Sequence, residues 1–180
     1  PPRHTLRLAG IVRRALREHG DSVSAVGRIV AEATLASMEG RYLDAAKLLL
    51  PCTDDWCARE VRLGYLYWAA GKTEESRHWF RTLERLAADG VKHAPLDTNT
   101  RRDLAMAQSM LGKHAAALAS IDAARDLIPE AKDAVNGPQV SFERSIILVR
   151  AGRSAEGYAE VERLLRVPFG APSDQFDDML

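Results

Sequence analysis

The chain has 180 residues, 25 Lys plus Arg against 25 Asp plus Glu, 46% apolar residues and 28% charged ones. That length buries a core without staples, and a net charge of zero creates no field that draws nucleic acid or an anionic membrane surface. Ala and Leu dominate over Val, Ile and Thr, which favours helix over strand, and no clean apolar run, Ile146-Ile147-Leu148-Val149 among them, approaches the length of a membrane span.

The chain opens Pro1-Pro2-Arg3-His4 with no Met and no secretory pattern, which predicts a piece cut from something longer. Residues 5–18 read as one amphipathic helix, with Leu8, Ile11, Val12 and Ala15 on one face and Arg7, Arg13, Arg14 and Arg17 elsewhere. This segment, residues 1–21, is expected to be a cap or the second helix of an earlier repeat. Residues 1–20 carry five Arg against one Glu. A solvated face accounts for that asymmetry, and docking to an acidic partner or lipid surface is the functional alternative.

From residue 22 onward the same junction recurs four times, at Gly40-Arg41, Gly71-Lys72, Gly112-Lys113 and Gly152-Arg153. An amphipathic run precedes each glycine and another follows, so the unit reads as helix, tight turn, helix. Glycine suits the exit from the first helix, where the chain passes through a left-handed conformation that a Cβ resists. Seven residues before each glycine stand Ala33, Gly64, Ala105 and Ser145, and five after it Ala45, Ser76, Ala117 and Gly157. Small residues at every one of these positions predict close contact between antiparallel helices. Nine after each glycine comes a large apolar knob, Leu49, Phe80, Ile121 and Val161. The glycines are spaced 31, 41 and 40 apart, and the longer spacings are expected to be absorbed by loops at Asp89–Leu96 and Glu130–Pro138.

These features resemble the tetratricopeptide repeat, which Leu63-Gly64, Tyr67, Gly71, Ser76 and Phe80 follow best, with Pro129 at the close of the third unit. The resemblance covers residues 22–166. It departs from the family at Glu32 and Arg144, where Leu is usual, and in the spacings, which exceed 34 in two cases and fall below it in one. It implies an all-α, right-handed α-α superhelix of about four helix-turn-helix repeats with an extra N-terminal helix. The tail, residues 167–180, is acidic and reads as irregular. A second resemblance rests on Leu164-Leu165-Arg166-Val167-Pro168 running into Phe169–Leu180, a closing segment similar to that of C-terminal repeat regions in bacterial cyclases, Ser/Thr kinases and winged-helix regulators. It implies a sensory or dimerisation module in a signalling protein, and leans toward a periplasmic setting over a cytoplasmic one.

No motif carries catalytic chemistry. No Ser sits in a glycine-flanked elbow, no Cys has a recognisable His partner, and the glycines are helix punctuation instead of phosphate loops. His4, His19, His78, His93 and His114 lack ligand spacing, so neither metal nor cofactor is expected. Cys52 and Cys57, five apart, are either a small-loop disulfide or two unlinked thiols. By the repeat register, Tyr65, Trp68, Arg102, Met106, Ser109, Phe142 and Ile146 line a concave groove, the aromatic ones as anchors and Arg102 as a clamp on a carboxylate or carbonyl. The alternative is that curvature buries some of them. The expectation is a protein-interaction or scaffold module that binds a protein or peptide, not an enzyme, with a homodimer as a further option.

Overall fold

A computed structural model describes residues 3–19 and 22–166. Among these the protein is all-α, with nine helices: α1 (Arg3–His19), α2 (Ala25–Met38), α3 (Tyr42–Leu49), α4 (Arg59–Ala69), α5 (Thr73–His93), α6 (Thr98–Met110), α7 (His114–Leu127), α8 (Asn136–Arg150) and α9 (Ser154–Leu164). The acidic tail and most of the closing segment behind the signalling likeness, from Val167 on, lie outside the described residues. The chain divides into two compact units, residues 1–79 and 80–180, and α5 runs through the division.

Each of the four expected junctions is a left-handed glycine: φ is +76° at Gly40, +71° at Gly71, +79° at Gly112 and +79° at Gly152. The hydrogen bonds repeat too. The N–H after each glycine reaches back to close the helix, from Arg41 to the Ala36 carbonyl and Lys72 to that of Tyr67, Lys113 to that of Gln108 and Arg153 to that of Leu148, at 2.8–2.9 Å. The glycine N–H itself bonds three residues back, as from Gly40 to the Ser37 carbonyl at 2.8 Å. This double closure satisfies carbonyls that a helix end otherwise leaves orphaned. The second helix starts at once, because the carbonyls of Arg41, Lys72, Lys113 and Arg153 accept from Ala45, Ser76, Ala117 and Gly157. The small residue five past each glycine is thus also the first to be locked into the new helix.

All eight small positions are buried. In the first unit the Ser76 hydroxyl donates to the Gly64 carbonyl at 2.9 Å, joining α4 to α5. In the second, a Cβ at Gly157 would stand 2.7 Å from the Ser145 carbonyl oxygen, so α8 and α9 touch backbone to backbone. Around these contacts the first unit collects Val30, Ala33, Ala45, Leu49, Leu63 and Leu66 into one core, and the second collects Ala105, Ala117, Ile121, Ala124, Val140 and Ile147 into another. Burying each large aliphatic side chain contributes about 1.5–3 kcal/mol. The knobs Leu49, Phe80 and Ile121 are buried, whereas Val161 is only half-buried.

Two expectations need correction. The first long spacing is absorbed by helix, since α5 continues to His93 and leaves only residues 94–97 as connection. Gly90 is what permits this: a Cβ there would lie 2.8 Å from Thr100 Cγ2, so a helical glycine makes room for α6 instead of breaking α5. The loop expected at Glu130–Pro138 forms, as residues 128–135 between α7 and α8. Second, α1 packs on α2 through buried Ala9 with Leu8 and Val12 half-buried, but Ile11 is 60% exposed and Ala15 is exposed as well. Helix α3 ends at Leu49, and Cys52 lies in the turn after it. Pro51 has no N–H with which to continue the ladder.

Candidate interaction surface

In the first unit α4 carries Tyr65 and Trp68, three residues apart and therefore on one side of the helix. Leu63 and Leu66 hold the other side in the core. Tyr65 is half-buried and Trp68 is 53% exposed. What aims this helix lies just before it. The sulfurs of Cys52 and Cys57 are joined as a disulfide, with Cα atoms 6.4 Å apart, and both residues are buried against α2 and α4 core residues. A short 3-10 turn, Asp55–Cys57, follows, and then Ala58 turns left-handed with φ +43°. Ala58 stands at the helix entry with no side chain to cap it. A non-glycine in that conformation costs about 1–2 kcal/mol, which the flanking disulfide and core hold in place. A shallow depression of about 290 Å³ lies by the first turn, lined by Gly40, Arg41, Tyr42, Leu43, Asp44 and Ala70.

In the second unit Met106, Phe142 and Ile146 are half-buried on α6 and α8. Two of the expected groove residues are not available there. Ser109 is fully buried, and its hydroxyl has no hydrogen-bond partner among the described residues, so it is packing. Arg102 is engaged within the unit: its guanidinium donates through Nε to Glu143 at 2.8 Å, through Nη2 to the other Glu143 oxygen, and through Nη1 to Asn99 at 3.0 Å. The clamp expected for a partner's carboxylate is filled by a carboxylate of α8. Glu143 was not anticipated, although the signal was present. The two opposite charges stand 41 residues apart, about one repeat, at nearly the same distance before their glycines.

Beside this pair, Asp103 retains an exposed surface yet is surrounded by enough protein that loss of water pushes its carboxyl up to about 6. Arg102 pulls it down, while Glu143 and Asp97 push it further up. Helix α8 carries two more ties. Arg144, at a position where the repeat usually has Leu, donates to Asp122 of α7 at 2.7 Å. Ser141 donates to Glu130 in the preceding loop at 2.5 Å, and Arg163 of α9 donates to both oxygens of Glu130 at 2.5 and 2.9 Å. The Arg163 guanidinium holds the Glu130 carboxyl below the usual carboxylate range. Among the described residues no group of three or more His, Cys, Asp and Glu is placed to hold a metal ion, and no helix is long and apolar enough to cross a membrane.

No protein-family model and no curated protein matches the chain. Solved structures of MamA share a partial likeness. MamA AMB-1 is 18% identical over 88% of this chain and 90% of that one, with a TM-score of 0.45. MamA MSR-1 is 16% identical over 88% of each, with a TM-score of 0.42. Likeness at this depth says nothing about what either protein does.

Proposed function

We propose that this chain is a protein-interaction module that holds a peptide segment of its partner against α4, with Trp68 as the anchor and Tyr65 beside it. The observation that carries the reading is the indole of Trp68, 53% exposed on a helix whose other side is fully used in the core. Apolar surface left in water forfeits about 25 cal/mol per Å², and Trp, once covered, is the side chain that most often dominates a binding interface. Its place on the first helix of a hairpin, held by a disulfide-closed turn, keeps it oriented before a partner arrives. The shallow, open depression nearby fits a peptide side chain better than an enclosed small molecule. Met106, Phe142 and Ile146 offer a second half-buried apolar set on the other unit for the same kind of contact.

The test is selection of short peptides from a display library on the wild-type chain, followed by calorimetry on Trp68→Ala and on the Tyr65→Ala, Trp68→Ala double variant. Trp68→Ala should weaken the selected peptides by about 2 kcal/mol or more, with the helical circular dichroism signal unchanged. Peptides that bind the double variant as tightly as wild type would end this reading, as would unfolding of the Trp68→Ala chain.

A further inference from the structure

We infer that the outward face of α1 is a second docking surface, and that its occupant is an acidic amphipathic helix of another protein. Helix α1 spends its apolar side on α2, through Ala9, Leu8 and Val12. Arg13 is also used there, paired with Glu39 at the end of α2. What faces solvent is a stripe at helical spacing: Arg7, then Gly10 and Ile11, then Arg14. These four residues line a shallow depression of about 360 Å³. Ile11 is 60% exposed between the two guanidinium groups, and nothing lies within 4 Å of where a Cβ on Gly10 would stand. Arg7, Arg14 and the neighbouring Arg17 are exposed and have no acidic partner among the described residues, and Glu18 alone opposes them at the last turn.

Charge and shape together select the occupant. The bare backbone at Gly10 lets a partner helix approach closely, Ile11 offers an apolar contact, and Arg7 and Arg14 stand one heptad apart to meet carboxylates on either side of it. A bilayer fits less well. An interfacial helix sinks a wide apolar face among the acyl chains, whereas Ala9, Leu8 and Val12 are turned to α2 and Ile11 is the one large apolar side chain exposed on α1 among the described residues.

The experiment uses the full 180-residue chain and a synthetic helical peptide carrying one leucine flanked by glutamates three and four positions to either side. Its controls are a glutamine twin, a lysine twin and phosphatidylserine vesicles. At low salt the glutamate peptide should bind at least about ten-fold tighter than the glutamine twin. The Arg7→Glu, Arg14→Glu double variant should lose about ten-fold or more and come to prefer the lysine twin. Ile11→Asn should weaken binding about five-fold. Trp68→Ala should leave all of this unchanged, which separates the α1 surface from the peptide site on α4. Equal binding of the glutamate and glutamine peptides overturns the inference. So does an undiminished affinity in the double variant, or capture by the vesicles without capture by the peptide. Should the double variant lose its helical signal, the wild-type chain decides: binding the lysine twin as tightly as the glutamate peptide overturns the inference equally.

Discussion

At Gly157 the hairpin leaves no room for a side chain. A Cβ would meet the Ser145 carbonyl at 2.7 Å and Val149 Cγ2 at 2.6 Å, and only the second of these neighbours is a side chain that can move. Gly157→Leu should therefore cost about 1–3 kcal/mol or more, seen as a lowered urea midpoint, whereas changes at exposed positions nearby should stay within about 0.5 kcal/mol. Arg102 and Glu143 make the opposite point, because there the side chains are the contact. Their side chains are only 16% and 12% exposed, so Glu143→Gln strands a half-buried guanidinium and should destabilise by about 3 kcal/mol. Replacing both by Met should cost much less, and a double-mutant cycle measures the difference. A cycle in which the double change costs the sum of the two single changes would show that the pair contributes no coupling.

Among the elements, the turns decide where helices stop, and they do so through one backbone angle. Gly112 at φ +79° has nothing within 4 Å of an added Cβ, so Gly112→Ala probes conformation alone and should cost about 1 kcal/mol. Ala58 at φ +43° is the converse, an alanine where glycine would be at ease. Ala58→Gly should be neutral to stabilising by up to about 1 kcal/mol, since relief of the left-handed strain outweighs the added freedom of the unfolded chain. The thermal midpoint should fall in Gly112→Ala and hold or rise in Ala58→Gly. Loss of stability in Ala58→Gly would mean that the turn before α4 is not strained. The glycine at position 90 carries neither meaning. It sits inside α5, and its small size serves the contact with Thr100, so composition alone suggested a break where the structure has continuous helix.

Over the whole molecule, two carboxylates pull the pH dependence in opposite directions. The folded-state pKa of Asp103 is raised to about 6, so between the ordinary aspartate range and about 6 the native state holds a proton that the unfolded chain releases. Stability therefore falls as pH rises through that window, and the penalty persists at neutral pH. Glu130 is lowered by Arg163, so its contribution is present above the ordinary glutamate range and is lost as pH falls below it. Asp103→Asn should raise the denaturation midpoint at neutral pH and flatten the decline between about pH 4 and 6, leaving the acid limb unchanged. An unaltered profile would show that Asp103 is as well solvated as a free side chain. What the sequence determined by itself is the hairpin unit. Left-handed turns, small contact positions and the knobs Leu49, Phe80 and Ile121 are local or strictly periodic, so one chain read in register reveals them. What only the tertiary structure decided is where the periodic pattern meets its neighbours: that Arg102 faces Glu143, that Ser109 is buried, that Ile11 turns outward and that α5 runs on past Gly90. Each of these depends on which surface a second helix presents across the gap, and spacing along a single helix does not encode that.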